Sequence, residues 1–327
     1  KKIGINGFGR IGRTFARFAL LESDIEIALV NDLADIHTLA HLFKYDSIHG
    51  VLKQGFTIQA NSIVFEDGRK IQFISEKDPA NIPWSKYGVE TVVDCAGIFL
   101  TKEKASAHFT GGAKKVIMSA PANDDTKTIV LGVNDEILLD SDTIISNASC
   151  TTNCAAPMFK VLMEIAEIES CFLSTVHSFT SDQRLHDAPH KDLRRARQAT
   201  SSIIPTSTGA AKALWKIFPE LDGKMSGSSL RVPVSDGSIT ELTLVVKNDL
   251  TVEAINQAFL KASQTNLKGI LKYTDEPLVS VDIVGDRHSV IFDSDLTVVN
   301  GKMVKIVGWY DNESGYSARL LDLVKKI

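Results

Sequence analysis

Cys150 and His177 are the residues whose types and settings point to covalent chemistry. Cys150 lies in SNASCTTNCAAP, residues 146–157, at the start of a helix predicted over Ser149–Ile165. A helix N-terminus favours thiolate over thiol, and thiolate is the reactive form. Ser149, Thr151 and Thr152 supply hydroxyls and a cap, and backbone N–H groups there could stabilise an oxyanion on an attacked carbonyl. His177 ends the apolar run SCFLSTVHSFT. Alone, a histidine ending an apolar strand usually means a satisfied core histidine. Imidazole titrates near neutrality, however, and a Cys–His pair is the standard activated thiol. A helix followed by a strand can return both residues to one edge of a sheet. Cys95 and Cys171, in predicted strands, read as small buried hydrophobes. Cys154 lies one turn beyond Cys150, without the helix-end effect that lowers a thiol pKa. No CxxC pair occurs, and no metal site is expected.

A second constellation lies in GINGFGRIGR, residues 4–13. Gly7, Gly9 and Gly12 form G-x-G-x-x-G after an apolar strand and at the opening of a helix. Asp32 follows 20 residues after Gly12, ending the next strand. Together these are the contexts that a dinucleotide fingerprint requires. The glycines permit a tight turn and close approach to a pyrophosphate, which the helix N-terminus attracts. Arg10 could add a direct charge. Asp32 would bind the ribose hydroxyls and repel a 2′-phosphate, which favours NAD.

The positioning elements alternate in the first half of the chain. Strands are predicted at Ile3–Asn6, Ile25–Val30, Thr91–Asp94, Lys115–Met118 and Thr143–Ile145. Helices are predicted at Arg10–Leu21, after Asp35, and near Thr101–His108. Such alternation implies an α/β unit with a mostly parallel sheet covered on both faces. The second half predicts strands at Cys171–Thr180, Ser229–Val234, Ile239–Val246, Leu296–Val299 and Val304–Trp309, with a helix at Val252–Ala262. A mixed, largely antiparallel sheet follows from this. The polar, arginine-rich stretch Ser181–Ala199 separates two of these strands, and Asp311–Lys326 has helical periodicity. Domains are expected over 1–149 and 150–311, with the helix 312–327 returning to the first.

The bulk numbers fit such a chain. Its 327 residues allow two domains, and 44% hydrophobic with 23% charged content is ordinary globular usage. A net charge of −4 gives no global pull toward nucleic acid or anionic membrane. No apolar run is long enough for a membrane helix. KKIGINGFGR lacks the apolar core of a signal peptide, so a cytoplasmic protein is expected.

With both motifs in hand, the chain closely resembles the phosphorylating glyceraldehyde-3-phosphate dehydrogenases. The resemblance runs from INGFGRIGR to the end. Further segments carry it: KYDS at 44–47, APA at 120–122, SNASCTTNCAAP, TVHSFT at 175–180, HKDLRRAR at 190–197, IIPTSTGAAKA at 203–213, RVP at 231–233 and WYDNESGYS at 309–317. It implies a Rossmann-type doubly wound domain, an α+β catalytic domain and a homotetramer. It implies oxidation of glyceraldehyde 3-phosphate with NAD and inorganic phosphate to 1,3-bisphosphoglycerate, in glycolysis or gluconeogenesis. Cys150 would form a thiohemiacetal and then a thioester, with His177 as base.

By the same resemblance, Thr180, Asp182 and Arg231 match a substrate-phosphate site. Ser149, Thr151, Arg195, Thr208 and Gly209 match a second anion site. Asn6, Gly7, Phe8, Gly9, Arg10, Ile11, Asp32, Lys77, Ala96, Gly97, Ser119, Asn312 and Tyr316 match positions around NAD, with Asn312 at the nicotinamide carboxamide. Three departures stand out. Ala188 replaces a usual leucine and leaves room for secondary NADP use. RVPVSDGS replaces the common RVPTPNVS and is expected to reshape the aldehyde or phosphate pocket. DCAGIF, at residues 94–99, is a small change near the cofactor. Two alternatives remain: erythrose-4-phosphate dehydrogenase, with water as acyl acceptor, and a binding or moonlighting protein on the same fold. The retained second anion site and the acidic net charge argue against them.

Overall fold

The computed structural model describes residues 1–327. The chain forms two compact units. One comprises Lys1–Ile129, Glu136–Ala148 and Ser317–Ile327, the other Val130–Asp135 and Ser149–Tyr316.

The first unit begins β1 (Lys2–Asn6), α1 (Arg10–Ala19), β2 (Glu26–Asn31) and α2 (Ile36–Lys44). A short hairpin follows, β3 (Tyr45–Asp46) with β4 (Gly50–Val51). Next come β5 (Phe56–Gln59), β6 (Ser62–Phe65), β7 (Lys70–Ile74), β8 (Thr91–Asp94), α3 (Lys102–Ala105), β9 (Lys115–Met118) and β10 (Ile144–Ser146). The sheet order is β10-β9-β8-β1-β2-β7-β6-β5. Its first six strands are parallel, and β6 and β5 extend it antiparallel. The strand order reverses between β1 and β8, and the crevice at such a switch point takes the ligand in open α/β sheets. The alternation argument anticipated the parallel strands but not the edge strands β5 and β6. The expected helix at Thr101–His108 is shorter than predicted. After Ala105 it tightens into a 3₁₀ turn, Ser106–Phe109, where Ser106 Oγ bonds back to the Glu103 carbonyl.

The second unit holds α4 (Cys150–Ile165), β11 (Ile168–Ser178), β12 (Ile204–Thr206), α5 (Ala210–Ile217), β13 (Met225–Val232), β14 (Ser238–Val246), α6 (Val252–Gln264), β15 (Leu271–Thr274), β16 (Val290–Asp293), β17 (Val298–Asn300) and β18 (Met303–Tyr310). The sheet runs β12-β13-β11-β14-β18-β16-β15, with β17 beside β18. β11–β13 and β15–β16 are parallel, and the other pairs are antiparallel. Burial alternates residue by residue along β14, as expected for a sheet with one covered face. α4 packs against β14, β16 and β18 and against α5 and α6. Its residues Thr151–Phe159 are all buried, so it is a central helix rather than an amphipathic surface one. The strand expected at Leu296–Val299 is displaced. Ser294–Leu296 is a 3₁₀ turn, and pairing with β18 begins only at Val298. The helix α7 (Ser314–Lys326) starts three residues later than its periodicity implied. Asp311 instead caps it, accepting from the Glu313 and Ser314 N–H groups.

Candidate active site

In the first unit the glycine turn is sterically tight. Gly7 has φ +91°, and a Cβ there would lie 2.7 Å from the Ala96 nitrogen. A Cβ on Gly12 would lie 2.3 Å from the Gly7 carbonyl oxygen, whereas one on Gly9 would meet nothing within 4 Å. No side chain caps α1 at Gly9, and its first turn holds no acidic residue. An uncapped helix end facing open space suits a pyrophosphate. Asp32 Oδ2 accepts from the Phe8 N–H at 2.7 Å, which ties the acidic residue to the turn. These residues fit a dinucleotide.

Several residues that the resemblance places around NAD have side chains bonded or packed within the protein. The Arg10 guanidinium makes a two-point pair with Asp46, 36 residues on, so its charge is neutralised within the protein. Burial opposes ionisation of Asp46, but the Arg10 hydrogen bond and the Ile48 and His49 N–H donors bring it down to about 2. Phe8 is a core residue, its ring against Phe43 and Phe73. Asn6 is buried, with Nδ2 on Asp94 and Oδ1 accepting from Asn31. Asp94 also accepts from the Ala96 N–H and contacts His108 Nε2, whose Nδ1 accepts from Trp84. Asn6, Asn31 and Asp94 meet because the register places them side by side at the ends of β1, β2 and β8. This buried polar chain braces the loop carrying Ala96 and Gly97, and nothing local in the sequence signalled it. Gly97 and Lys77 are exposed, and Ser119 is half-buried with its N–H on the Asp94 carbonyl. Burial pushes the Cys95 thiol of the DCAGIF segment up to about 12, so it is inert.

In the second unit Cys150 is the first residue of α4. Ser149 caps the helix, its Oγ accepting from the Thr152 N–H at 3.0 Å. The preceding Ala148 has φ +59°, a left-handed conformation that costs a residue with a Cβ about 1–2 kcal/mol. Cys150 Sγ lies 3.4 Å from His177 Nε2. His177 pairs in register with Arg231 across the parallel β11–β13 ladder. Arg231 Nη1 lies 2.7 Å from His177 Nδ1 and 3.0 Å from the Ser178 carbonyl oxygen, which is itself 2.7 Å from Nδ1. Burial first, and then Arg231, holds His177 down to about 3. Burial pushes the Cys150 thiol up, and Arg231 is the main influence opposing it. No carboxylate pairs with Arg231, and its Nε has no partner.

The remaining anion-site residues are distributed differently from expectation. Asp182 and Arg195, assigned by resemblance to separate sites, form an ion pair with each other. Arg195 Nε also donates to Thr206 Oγ1 at 2.9 Å. The Thr180 N–H donates to Gln183 Oε1. Thr208 Oγ1 accepts from the Ala210 N–H, and Gly209 opens α5 without a side-chain cap. Thr151 is buried, and its hydroxyl is bonded to Tyr310 at 2.9 Å. Its side chain and its backbone N–H also bond to Cys150 and lower that thiol's pKa.

Three residues escaped the sequence reading. Tyr310 bridges Thr151 and Thr175 and sets its ring edge-on to His177, with centroids 5.9 Å apart. Ser178 Oγ and Ser238 Oγ both donate to Asn312 Oδ1, at 2.9 and 2.7 Å. Ser238 Oγ also accepts from the Ser178 N–H, and its own proton is directed at Asn312 Oδ1. With Oδ1 on both serines, the Asn312 NH₂ faces away from them. Tyr316 is buried in the first turn of α7. The only signal for Tyr310 was its place in WYDNESGYS.

Comparison with known proteins covers nearly the whole chain. Residues 1–102 match the family described as glyceraldehyde 3-phosphate dehydrogenase, NAD binding domain, and residues 149–312 match its C-terminal domain. A Streptomyces avermitilis protein named glyceraldehyde-3-phosphate dehydrogenase 2 is 55% identical over 98% of this chain and 97% of its own length. A Mycobacterium avium protein named glyceraldehyde-3-phosphate dehydrogenase is 52% identical over 99% and 97%. One from Bacillus cereus, named glyceraldehyde-3-phosphate dehydrogenase 1, is 51% identical over 98% and 97%.

Proposed function

This chain belongs to the glyceraldehyde-3-phosphate dehydrogenase family, an NAD-dependent dehydrogenase, and from that premise we propose that it oxidises glyceraldehyde 3-phosphate to an acyl phosphate through Cys150. The observation that carries the site assignment is the 3.4 Å approach of Cys150 Sγ to His177 Nε2 at a helix N-terminus, beside a cation without a carboxylate. Cys150 sulfur attacks the aldehyde carbon, and His177 Nε2 takes the thiol proton and passes it to the new alkoxide. The N–H groups at the start of α4 can stabilise that oxyanion. His177 then removes the hydroxyl proton of the thiohemiacetal as it becomes a thioester. NAD supplies the hydride acceptor. Inorganic phosphate attacks the thioester carbon, and Cys150 departs as thiolate, a good leaving group as well as a good nucleophile.

Arg231 is the substrate-phosphate ligand in this reading, and Ser149, Arg195, Thr208 and Gly209 receive inorganic phosphate. The Asn312 NH₂ donates to the nicotinamide carboxamide. Asp32 favours NAD over NADP by repelling a 2′-phosphate. The protein acts in glycolysis or gluconeogenesis, in the cytoplasm and as a homotetramer. Exposed Leu185, Leu193 and Ile203 support the subunit contact. Reduction of NAD and of NADP, with and without inorganic phosphate, tests the assignment in wild type and Cys150→Ser. NAD reduction that needs both phosphate and Cys150 is expected. Reduction indifferent to phosphate would turn the assignment toward a hydrolytic relative. None at all from folded protein would end it.

A further inference from the structure

We propose that Trp84 and His108 are positioning residues for the dinucleotide, acting through one chain of hydrogen bonds that ties the loops after β1, β2, β7 and β8 into a single unit. The proposal rests on the placement of those loops around NAD. Trp84 and His108 are fully buried, so neither side chain offers surface to a ligand. Their influence has to travel through what they hold.

The chain has one direction. An indole N–H donates and cannot accept. Trp84 Nε1 lies 3.1 Å from His108 Nδ1, which therefore presents its lone pair. The other ring nitrogen, Nε2, lies 2.9 Å from Asp94 Oδ2, so the imidazole proton sits there and goes to Asp94. Asp94 Oδ2 also accepts from Asn6 Nδ2 at 3.1 Å, and Oδ1 accepts from the Ala96 N–H at 3.0 Å. Asn6 Oδ1 accepts in turn from Asn31 Nδ2 at 2.8 Å. At the far end, the Glu76 N–H donates to Asn31 Oδ1 at 2.8 Å, and the Glu76 carbonyl accepts from Asn31 Nδ2 at 3.0 Å. An indole at one end and a backbone N–H at the other can each only donate. No flip of the ring or of either amide would satisfy the bonds between them.

The anchored end is held in the core. Trp84 packs with Leu29, Ile82, Val89 and Val92. Phe99, two residues past Gly97, sets its ring edge-on to His108 with centroids 6.1 Å apart. Each link of the chain then stands beside a crevice residue: Asn6 before Gly7, Asn31 before Asp32, Glu76 before Lys77, Asp94 under Ala96. Backbone bonds run alongside, from the Gly7 N–H to the Asn31 carbonyl and from the Cys95 N–H to the Asn6 carbonyl. A buried network with every member satisfied holds one geometry, and a site held ready spends less binding energy on ordering.

Equilibrium titration with NAD and amide hydrogen exchange of the NAD-free, full-length protein test the proposal. His108→Phe cuts the chain at Asp94, and Asn31→Leu cuts it at Asn6 and Glu76. The two residues share no bonded partner. Each variant should weaken NAD binding by about 5-fold or more, the worth of one net hydrogen bond. Two unrelated defects would multiply, to about 25-fold or more. One broken chain should leave the double variant within about 2-fold of the weaker single variant. A double variant at the product of the two singles, or singles that bind NAD as wild type does, overturns the proposal. His108→Gln can accept from Trp84 and donate to Asp94, so it should restore wild-type affinity. A loss equal to that of His108→Phe overturns the hydrogen-bonded role. In Asn31→Leu the Ala96 amide, at the other end of the chain, should exchange faster. Unchanged exchange there overturns the coupling even if His108→Phe does not fold. Alkylation of Cys150 by iodoacetamide at the wild-type rate marks each variant as folded. A wild-type protein that binds no NAD would instead remove the placement of these loops around the cofactor.

Discussion

The two-serine clamp on Asn312 gives a prediction whose size follows from its hydrogen bonds. Asn312 Oδ1 accepts from Ser238 Oγ at 2.7 Å and from Ser178 Oγ at 2.9 Å, all within buried surroundings. A net hydrogen bond is worth about 1 kcal/mol, so the pair favours this amide orientation by about 2 kcal/mol, or roughly 30-fold. Ser178→Ala removes one donor and leaves the Ser178 carbonyl, and so the His177 corner, intact. It should raise the NAD dissociation constant about 5-fold with little change in thermal stability. Ser238→Ala also strands the buried Ser178 N–H, which adds about 1–3 kcal/mol of destabilisation. The double variant should weaken NAD binding by about 30-fold. With the amide free to rotate, deuterium from a C1-deuterated aldehyde should begin to appear on both faces of the nicotinamide. Equilibrium NAD titration and NMR of the reduced cofactor measure both effects. A folded double variant with unchanged affinity and single-face transfer would show that Asn312 does not orient the carboxamide.

Other consequences are equally direct. Burial, with Asp311 and Glu313 nearby, pushes Asp236 up to about 9, so the folded chain keeps a proton that an unfolded carboxyl loses above about pH 4. Stability therefore falls as pH rises between about 4 and 9, and Asp236→Asn should flatten a slope of up to about 1.4 kcal/mol per pH unit in urea unfolding. An equal slope in both proteins would contradict the neutral carboxyl. Gly12→Ala puts a Cβ 2.3 Å from the Gly7 carbonyl, a backbone atom that cannot yield without moving the turn. It should weaken NAD binding by at least about 5-fold, a strain of about 1–3 kcal/mol, while iodoacetamide still alkylates Cys150 at the wild-type rate. Ala148→Gly relieves a left-handed φ worth about 1–2 kcal/mol and loses a buried methyl worth about 0.8 kcal/mol. A gain between zero and about 1 kcal/mol in unfolding free energy is expected, and a clear loss would mean that the methyl outweighs the backbone.

What the sequence made legible was what local geometry decides. The glycine turn depends on three positions within one strand–helix junction, and the Cys150 setting depends on one helix start. Both parallel and mixed sheets followed from element spacing. What it hid depends on register and on contacts between distant residues. Arg10 looked available for a pyrophosphate because its partner, Asp46, is 36 residues away. The tie of the Thr151 hydroxyl to Tyr310 spans 159 residues. Asp182 and Arg195 appeared to belong to two sites because only the folded segment shows them paired.

The RVPVSDGS departure shows how such distant contacts reach the site. In sequence it pointed to a reshaped substrate pocket. In the structure Asp236 is buried, and its carboxyl bonds to Asp311. Gly237 has φ +86°, and a Cβ there would lie 2.4 Å from the Ser280 carbonyl oxygen. The Asp-Gly step thus turns the chain tightly into β14, whose first residue is Ser238, one jaw of the Asn312 clamp. Asp311 is the residue before Asn312 and holds the start of α7 through two backbone N–H groups. The protonated Asp236 carboxyl, bonded to Asp311, therefore joins the chain just before Ser238 to the chain just before Asn312. Loss of its proton would place two buried like charges at that joint, and their repulsion would be felt first in the distance between the serine and the amide it orients.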